Sequence, residues 1–206
     1  MALLRQGYCL IAGLDEAGRG CLAGPVVASA VILPLNEDTL ARFDGVRDSK
    51  QLTMLARERL YDRILQHALA VGVGTGPVEL IDQINILQAT KHAMCAALTQ
   101  LSLQPHALLL DALLLQNIAL PQRSIIKGDA RCLSIAAASI IAKVTRDRLM
   151  RQLHQQYPVY GFDQHKGYGT PAHLEALHTY GASPIHRTTF SPVRELLYGL
   201  FPTSQP

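Results

Sequence analysis

Apolar residues run from Tyr8 to Leu14 and again from Val26 to Leu33, and a glycine-rich stretch, Gly13 to Gly24, separates them. The pattern predicts a strand, a bend holding two acids and a base, and a return strand. Pro34 to Arg47 is polar and loop-like, and it delivers Asp48-Ser49-Lys50. Thr53 is placed to cap a helix reaching about His67, with Leu55, Leu60, Ile64 and Leu65 inward. Ala68 to Val73 is expected to be a third strand, stopped by Gly72, Gly74 and Gly76. No P-loop lysine follows those glycines, so they are read as a strand-end turn and not a phosphate loop. Pro77 to Leu103 has helical spacing, with Leu80, Ile84, Leu87, Met94 and Leu98 on one face.

His106 to Asp111 is a short apolar run ending in an acid, the pattern of a strand buried on both faces. Arg123 to Lys127 is a further expected strand, and Asp129 follows it. Ser134 to Gln156 predicts a strong helix whose small first residues allow close packing on a sheet, and Pro158 closes it. Gly161 to Thr170 is an aromatic, histidine and glycine loop. Short helices are expected at 171–180 and 192–200, with a frayed tail at 202–206. The order of elements implies an α/β fold, a mixed sheet flanked by helices.

Composition narrows the class. In 206 residues, 49% are hydrophobic and 17% charged, which suits one folded domain and excludes a disordered chain. The net charge is +3, but between Arg123 and Lys166 eight Lys/Arg face three Asp, a local +5 that leaves the remainder at −2. Such a concentration suits a nucleic acid backbone, or simply a solvated helix face. Three of the four cysteines are expected as core thiols, with Cys21 in the glycine bend, and no pair has zinc or disulfide spacing. Met1 to Leu14 does not resemble a cleaved leader, and no apolar run is long enough to span a membrane. The expectation is a cytoplasmic, monomeric protein.

Asp15, Glu16, Asp111 and Asp129 all lie beside apolar runs at expected strand ends. Strands of one sheet can bring those ends together, and four carboxylates cannot cluster ionised without cations. Oxygen-only ligands suit Mg²⁺ or Mn²⁺, whereas the eight histidines make no paired zinc motif. Two such ions about 4 Å apart are the usual arrangement for in-line hydrolysis of a phosphodiester.

Several motifs then occur in order: Gly13-Leu-Asp-Glu-Ala-Gly-Arg-Gly20, Gly24-Pro-Val-Val27, Asp48-Ser-Lys50, the Asp111 strand, Lys127-Gly-Asp129, Ser134 to Asp147, and His165-Lys-Gly-Tyr-Gly-Thr170. Together they resemble bacterial type 2 ribonuclease H, the ribonuclease HII family, from about Leu10 to Glu195. The resemblance implies a ribonuclease H-like mixed five-stranded sheet, one domain over 1–206, and a small helical C-terminal extension from about 171. It implies cleavage of the RNA strand of RNA–DNA hybrids and incision 5′ of ribonucleotides embedded in duplex DNA. By matched position Asp15, Glu16, Asp111 and Asp129 would be the catalytic, metal-binding acids. Gly18, Arg19 and Gly20 would contact the ribose 2′-OH, the group that separates RNA from DNA. Tyr168 would stack on the sugar at the junction, and Lys50, Lys143 and Lys166 would contact phosphates. Asp147 is expected to pair structurally with a neighbouring base. The chain departs from the family at Cys21, where proline is common, and at Ala112, where glycine is common. The extra N-terminal domain of the related ribonuclease HIII is not expected, which argues against that relative. The rivals are another nuclease on the same fold class and a non-catalytic nucleic-acid-binding protein.

Overall fold

A computed structural model of the chain describes residues 2–199. Its strands are β1 Ile11–Ala17, β2 Val26–Ile32, β3 Ala70–Gly76, β4 Ala107–Asp111 and β5 Gln122–Ile125. The helices begin with α1 Ala2–Arg5, α2 Thr39–Arg42, α3 Met54–His67 and α4 Val78–Thr99. After β5 come α5 Gly128–Arg131, α6 Leu133–Gln156, α7 Phe162–His165, α8 Pro171–Tyr180 and α9 Val193–Leu197. The five strands make one sheet in the order β3-β2-β1-β4-β5. β2 pairs antiparallel with β1 and β3, and β4 pairs parallel with β1 and β5. This is the mixed sheet flanked by helices that the sequence predicts. The expected end of the last helix at Leu200 and the tail at 202–206 lie outside the described residues.

Strand alternation decides which side chains meet which helix. Ala12, Leu14, Leu108 and Leu110 point to one face and share a core with Ile81, Ala89, Ala93 and Ala97 of α4. Gly13 and Asp15 point to the other, where α6 lies. A Cβ on Gly13 would stand 2.2 Å from the Ser134 carbonyl carbon, so no larger residue fits at the start of α6. Ala136, Ala137, Ala138, Ile140 and Ile141 of α6 pack there with Val31, Leu60 and Ile64. Burying a side chain such as Ile64 contributes about 1.5–3 kcal/mol.

Three expectations are corrected. Gly72 and Gly74 do not end the third strand but lie inside β3, which runs on to end at Gly76, and all three are on the face covered by α4. A Cβ on them would meet the backbone oxygens of Ala97, Ala93 and Ala89 at 2.1, 2.2 and 2.8 Å. They are bare because helix and strand backbones touch, and the alanines complete the fit. Along α4 the expected apolar stripe is broken by Asn85, which has φ 70° and accepts the amides of Leu87 and Gln88 as an internal cap. Ile84 and Leu87 are therefore exposed, and small residues carry the buried face. On α3, Thr53 accepts the Ala56 amide as expected and Leu60 and Ile64 are buried, but Leu55 and Leu65 face solvent. Cys21 is fully buried and Cys9 is exposed, while Cys95 and Cys132 lie between.

Candidate functional site

The parallel pairing of β1 with β4 aligns Leu14 with Leu110, so Asp15 and Asp111 occupy the next position on each strand. Both side chains point to the α6 face. Asp129 arrives there from α5, directly before α6, so it lies in a short helix and not at a strand end. Carboxylate oxygens of Asp15, Asp111 and Asp129 all lie within 4.8 Å of one another. Glu16, next along β1, does not join that group of three but lines the cleft beside it. Its Oε1 receives a bond from Arg19 at 3.1 Å, and its Oε2 is buried with no partner.

This assembly is electrostatically costly by itself. Burial, and then the charge of Glu16, push the Asp15 carboxyl well above the usual carboxylate range. Burial also raises Glu16, and Arg19 only partly opposes it. Asp15 Oδ1 accepts the Glu16 amide at 2.8 Å, and Asp111 Oδ1 accepts the Gly128 amide at 2.8 Å. Lys50 reaches Asp129 at 3.5 Å. Burial lowers the Lys50 ammonium, but the charges of Asp129 and Asp15 outweigh it and the net shift is upward. One lysine for three converging acids leaves a net negative cup. Hard oxygen donors from three elements, together with an orphaned buried oxygen on Glu16, fit a divalent cation such as Mg²⁺ or Mn²⁺.

Beside the acids opens a cleft of about 210 Å³. Glu16, Gly18, Arg19, Gly20, Ser49, Lys50, Ser139, Lys143 and Tyr168 line it. Ser139 bonds Ser49 at 2.8 Å and also stands beside Asp15, joining cup to cleft. Tyr168 is 42% exposed, with the Lys143 ammonium 5.7 Å from its ring centre. Lys143 pairs with Asp147 at 2.7 Å, the structural role expected of that acid. Lys166 is not among the lining residues, since its ammonium bonds the backbone oxygens of Asp163 and Gln164. A larger, mostly apolar cavity of about 330 Å³ between Ile11, Leu109, Ile125 and Leu133 holds no cluster of acids.

Two arginines that sequence reasoning passed over build the wall of this cleft. Arg187 is fully buried and donates to the carbonyls of Gly18 at 2.7 Å, Arg19 at 2.8 Å and Gly24 at 2.8 and 3.0 Å. Arg146, also fully buried, donates to Ala23, Pro25 and Lys166. Gly18 has φ 94°, and a Cβ there would stand 1.9 Å from Arg146 Nε. With carbonyls turned inward onto two guanidiniums, the bend is fixed from behind. Burial, and then the charge of Arg146, lower the Arg187 guanidinium to about 10, so it remains charged at neutral pH. Arg146 did leave a signal: with Ala142 and Met150 it repeats every four residues on the buried face of α6. Nothing local marks Arg187.

The family model for ribonuclease HII matches residues 12–193. The chain belongs to the ribonuclease HII family. It is accordingly a metal-dependent endoribonuclease. A ribonuclease HII from Chloroflexus aggregans is 58% identical over 196 residues, covering 95% of this chain and 92% of the relative. The solved ribonuclease H2 of Pyrococcus horikoshii superposes with a TM-score of 0.76 at 30% identity, over 92% of this chain and 98% of that one. A ribonuclease HII from Archaeoglobus fulgidus, solved in complex with PCNA, gives 0.75 at 28% identity, over 88% and 95%. Among the described residues of this ribonuclease HII family member, no helix is long and apolar enough to cross a membrane.

Proposed function

We propose that the protein cleaves the RNA strand of RNA–DNA hybrids and incises 5′ of single ribonucleotides in duplex DNA, leaving 3′-OH and 5′-phosphate ends. The observation that carries the reading is the convergence of Asp15, Asp111 and Asp129 within 4.8 Å, beside a cleft walled by Gly18–Gly20 and Tyr168. Asp15, Asp111 and Asp129 would hold the divalent ions, and the unpartnered Oε2 of Glu16, at the adjoining cleft, would complete the set. Such ions, two in this proposal, supply a hydroxide nucleophile and charge stabilisation for phosphodiester hydrolysis.

The remaining residues select and hold the substrate. Arg187 keeps the carbonyls of Gly18 and Arg19 turned inward and Arg146 those of Ala23 and Pro25, which leaves the Gly18–Gly20 backbone and the Arg19 side chain to meet a ribose 2′-OH. A deoxyribose leaves those groups unpaired, and an unmade bond at a built polar site is strongly discriminating. Tyr168 presents its ring to the sugar at the junction, while Lys50 and Lys143 face phosphates; Lys166 would have to turn outward to do so. Residues 1–206 act in this reading as one domain with a helical extension from about 171, supported by the Ala23–His186 bridge and by Arg187, which tie the extension to the bend.

Incubation with a duplex carrying one ribonucleotide, a uniform hybrid and an all-DNA duplex, with Mn²⁺ or Mg²⁺ and with chelator, tests the proposal. A single nick 5′ of the ribonucleotide is expected only with metal. Equal cutting of all-DNA duplex would remove the 2′-OH reading.

A further inference from the structure

Behind Tyr168, away from the cleft, three imidazoles pack with Tyr160 and Phe162. His165 stacks on His173 with ring centres 4.3 Å apart, and His173 and His186 are essentially inaccessible to solvent. The hydrogen bonds permit only one arrangement of protons in neutral rings. The Ser183 amide donates to His186 Nδ1 at 2.9 Å, so the His186 proton sits on Nε2. That Nε2 faces His173 Nε2 at 3.0 Å, so the latter must accept. The His173 proton is thereby forced onto Nδ1, which donates to the Tyr168 carbonyl at 2.8 Å. The chain runs in one direction, from the Ser183 amide through two rings to the backbone of Tyr168.

We infer that His186 and His173 form a neutral hydrogen-bond relay that positions Tyr168, so that these two buried histidines are specificity-determining residues for a substrate with an RNA-to-DNA junction. The inference rests on the reading that Tyr168 meets the junction sugar. Its physical basis is where the loop's other anchors fall: the Leu22 amide donates to the Gly167 carbonyl, the Arg146 guanidinium to that of Lys166, the His165 ring accepts the Gly167 amide, and the Tyr168 side chain bonds Cys21. The first three of those bonds fix the residues before Tyr168. At the Tyr168 backbone, the carbonyl receives the Thr170 amide and the His173 ring, and among the described residues the ring is its one partner from outside the loop. Burial lowers both histidines to about 4, with the neighbouring imidazoles adding to it and the bond to Tyr168 partly opposing it at His173, which agrees with uncharged rings at neutral pH. Neither ring touches the acids, so both are positioning residues.

Two measurements test this. In the unaltered protein labelled with ¹⁵N-histidine, long-range ¹H–¹⁵N spectra at pH 7 should show His173 as the Nδ1–H tautomer and His186 as Nε2–H. Two Nε2–H rings, or an imidazolium at either position, would overturn the relay. Separately, single-turnover cleavage of the one-ribonucleotide duplex is compared with cleavage of a uniform hybrid. His186→Leu removes the donor and should lower that ratio roughly 3- to 10-fold, the worth of one neutral hydrogen bond. His186→Gln can still donate from its amide and should restore most of the ratio. Equal losses on both substrates, or no difference between Leu and Gln, would sink the inference. Tyr168→Ala, run alongside, separates the layers. A ratio unchanged by Tyr168→Ala removes the underlying reading and the relay's purpose together. A ratio that falls for Tyr168→Ala but not for His186→Leu removes the relay alone.

Discussion

The floor and the wall of the cleft are built on opposite principles. The floor gathers Asp15, Asp111 and Asp129, like charges that raise one another's energy and are offset within the chain by Lys50 and a few amides. The wall is the Gly18–Gly24 bend and the Tyr168 loop, where inward-turned carbonyls have partners: Arg187 and Arg146 on those of the bend, and His173 on that of Tyr168. The floor is poised to be completed by something from outside, whereas the wall is complete already. A surface that binds ions keeps unmet charge, and one that discriminates substrates must be rigid before the substrate arrives.

The largest test of this contrast is on the floor. Asp111→Asn should reduce cleavage by roughly 100-fold or more, since it removes a charged ligand. Asp15→Asn should do the same and yet raise metal-free stability by about 1 kcal/mol, roughly 2–4 °C in Tm at this chain size, because a buried like charge is gone. Thermal melts in chelator alongside cleavage assays read both, and a lower melting point would contradict the account of the floor.

The wall should respond in the reverse sense. Arg187→Met leaves the Gly18, Arg19 and Gly24 carbonyls unpaired and should cost about 3 kcal/mol of stability. Discrimination between ribonucleotide-containing and all-DNA duplex should weaken with it. Denaturant melts and the substrate ratio check this; unchanged stability would mean that the bend holds itself.

The histidines add a pH dependence. His173 and His186 titrate near 6.5 when unfolded and at about 4 in the fold, so between those values the unfolded chain binds more protons. Their contribution to stability is therefore full above about 6.5, is lost as pH falls through that window, and levels off below about 4. Denaturant midpoints from pH 7 to 4 should show the decline, with a shallower slope in His186→Gln.

The smallest effect belongs to Ala112, next to Asp111, which has φ 52°. A left-handed L-residue costs roughly 1–2 kcal/mol, and glycine's extra unfolded-state freedom offsets about 0.4–1 kcal/mol. Ala112→Gly should accordingly stabilise by about 0.5 kcal/mol without altering cleavage. A drop in melting temperature would refute the strain argument.

The same division explains what could be read in advance. Asp15 and Asp111 were visible because an apolar run ending in an acid is a local pattern, and sheet pairing then brings the ends together. The strands and the long α6 helix were legible for the same reason. Leu55 and Leu65 were misjudged because helical spacing fits several faces and only tertiary packing chooses among them. Gly72 and Gly74 read locally as a turn because the reason for them, the alanines of α4, lies elsewhere in the sequence. Arg187 and the His186–His173–Tyr168 chain were invisible, since each acts on residues whose pairing no local spacing reveals; Arg187 reaches 163 to 169 positions back.

That long reach orders events during synthesis. Every acid of the proposed cutting centre has been made once residue 129 is translated, but the guanidinium that locks the bend is not made until residue 187. A nascent or prematurely ended product would own the blade before it owned the guard.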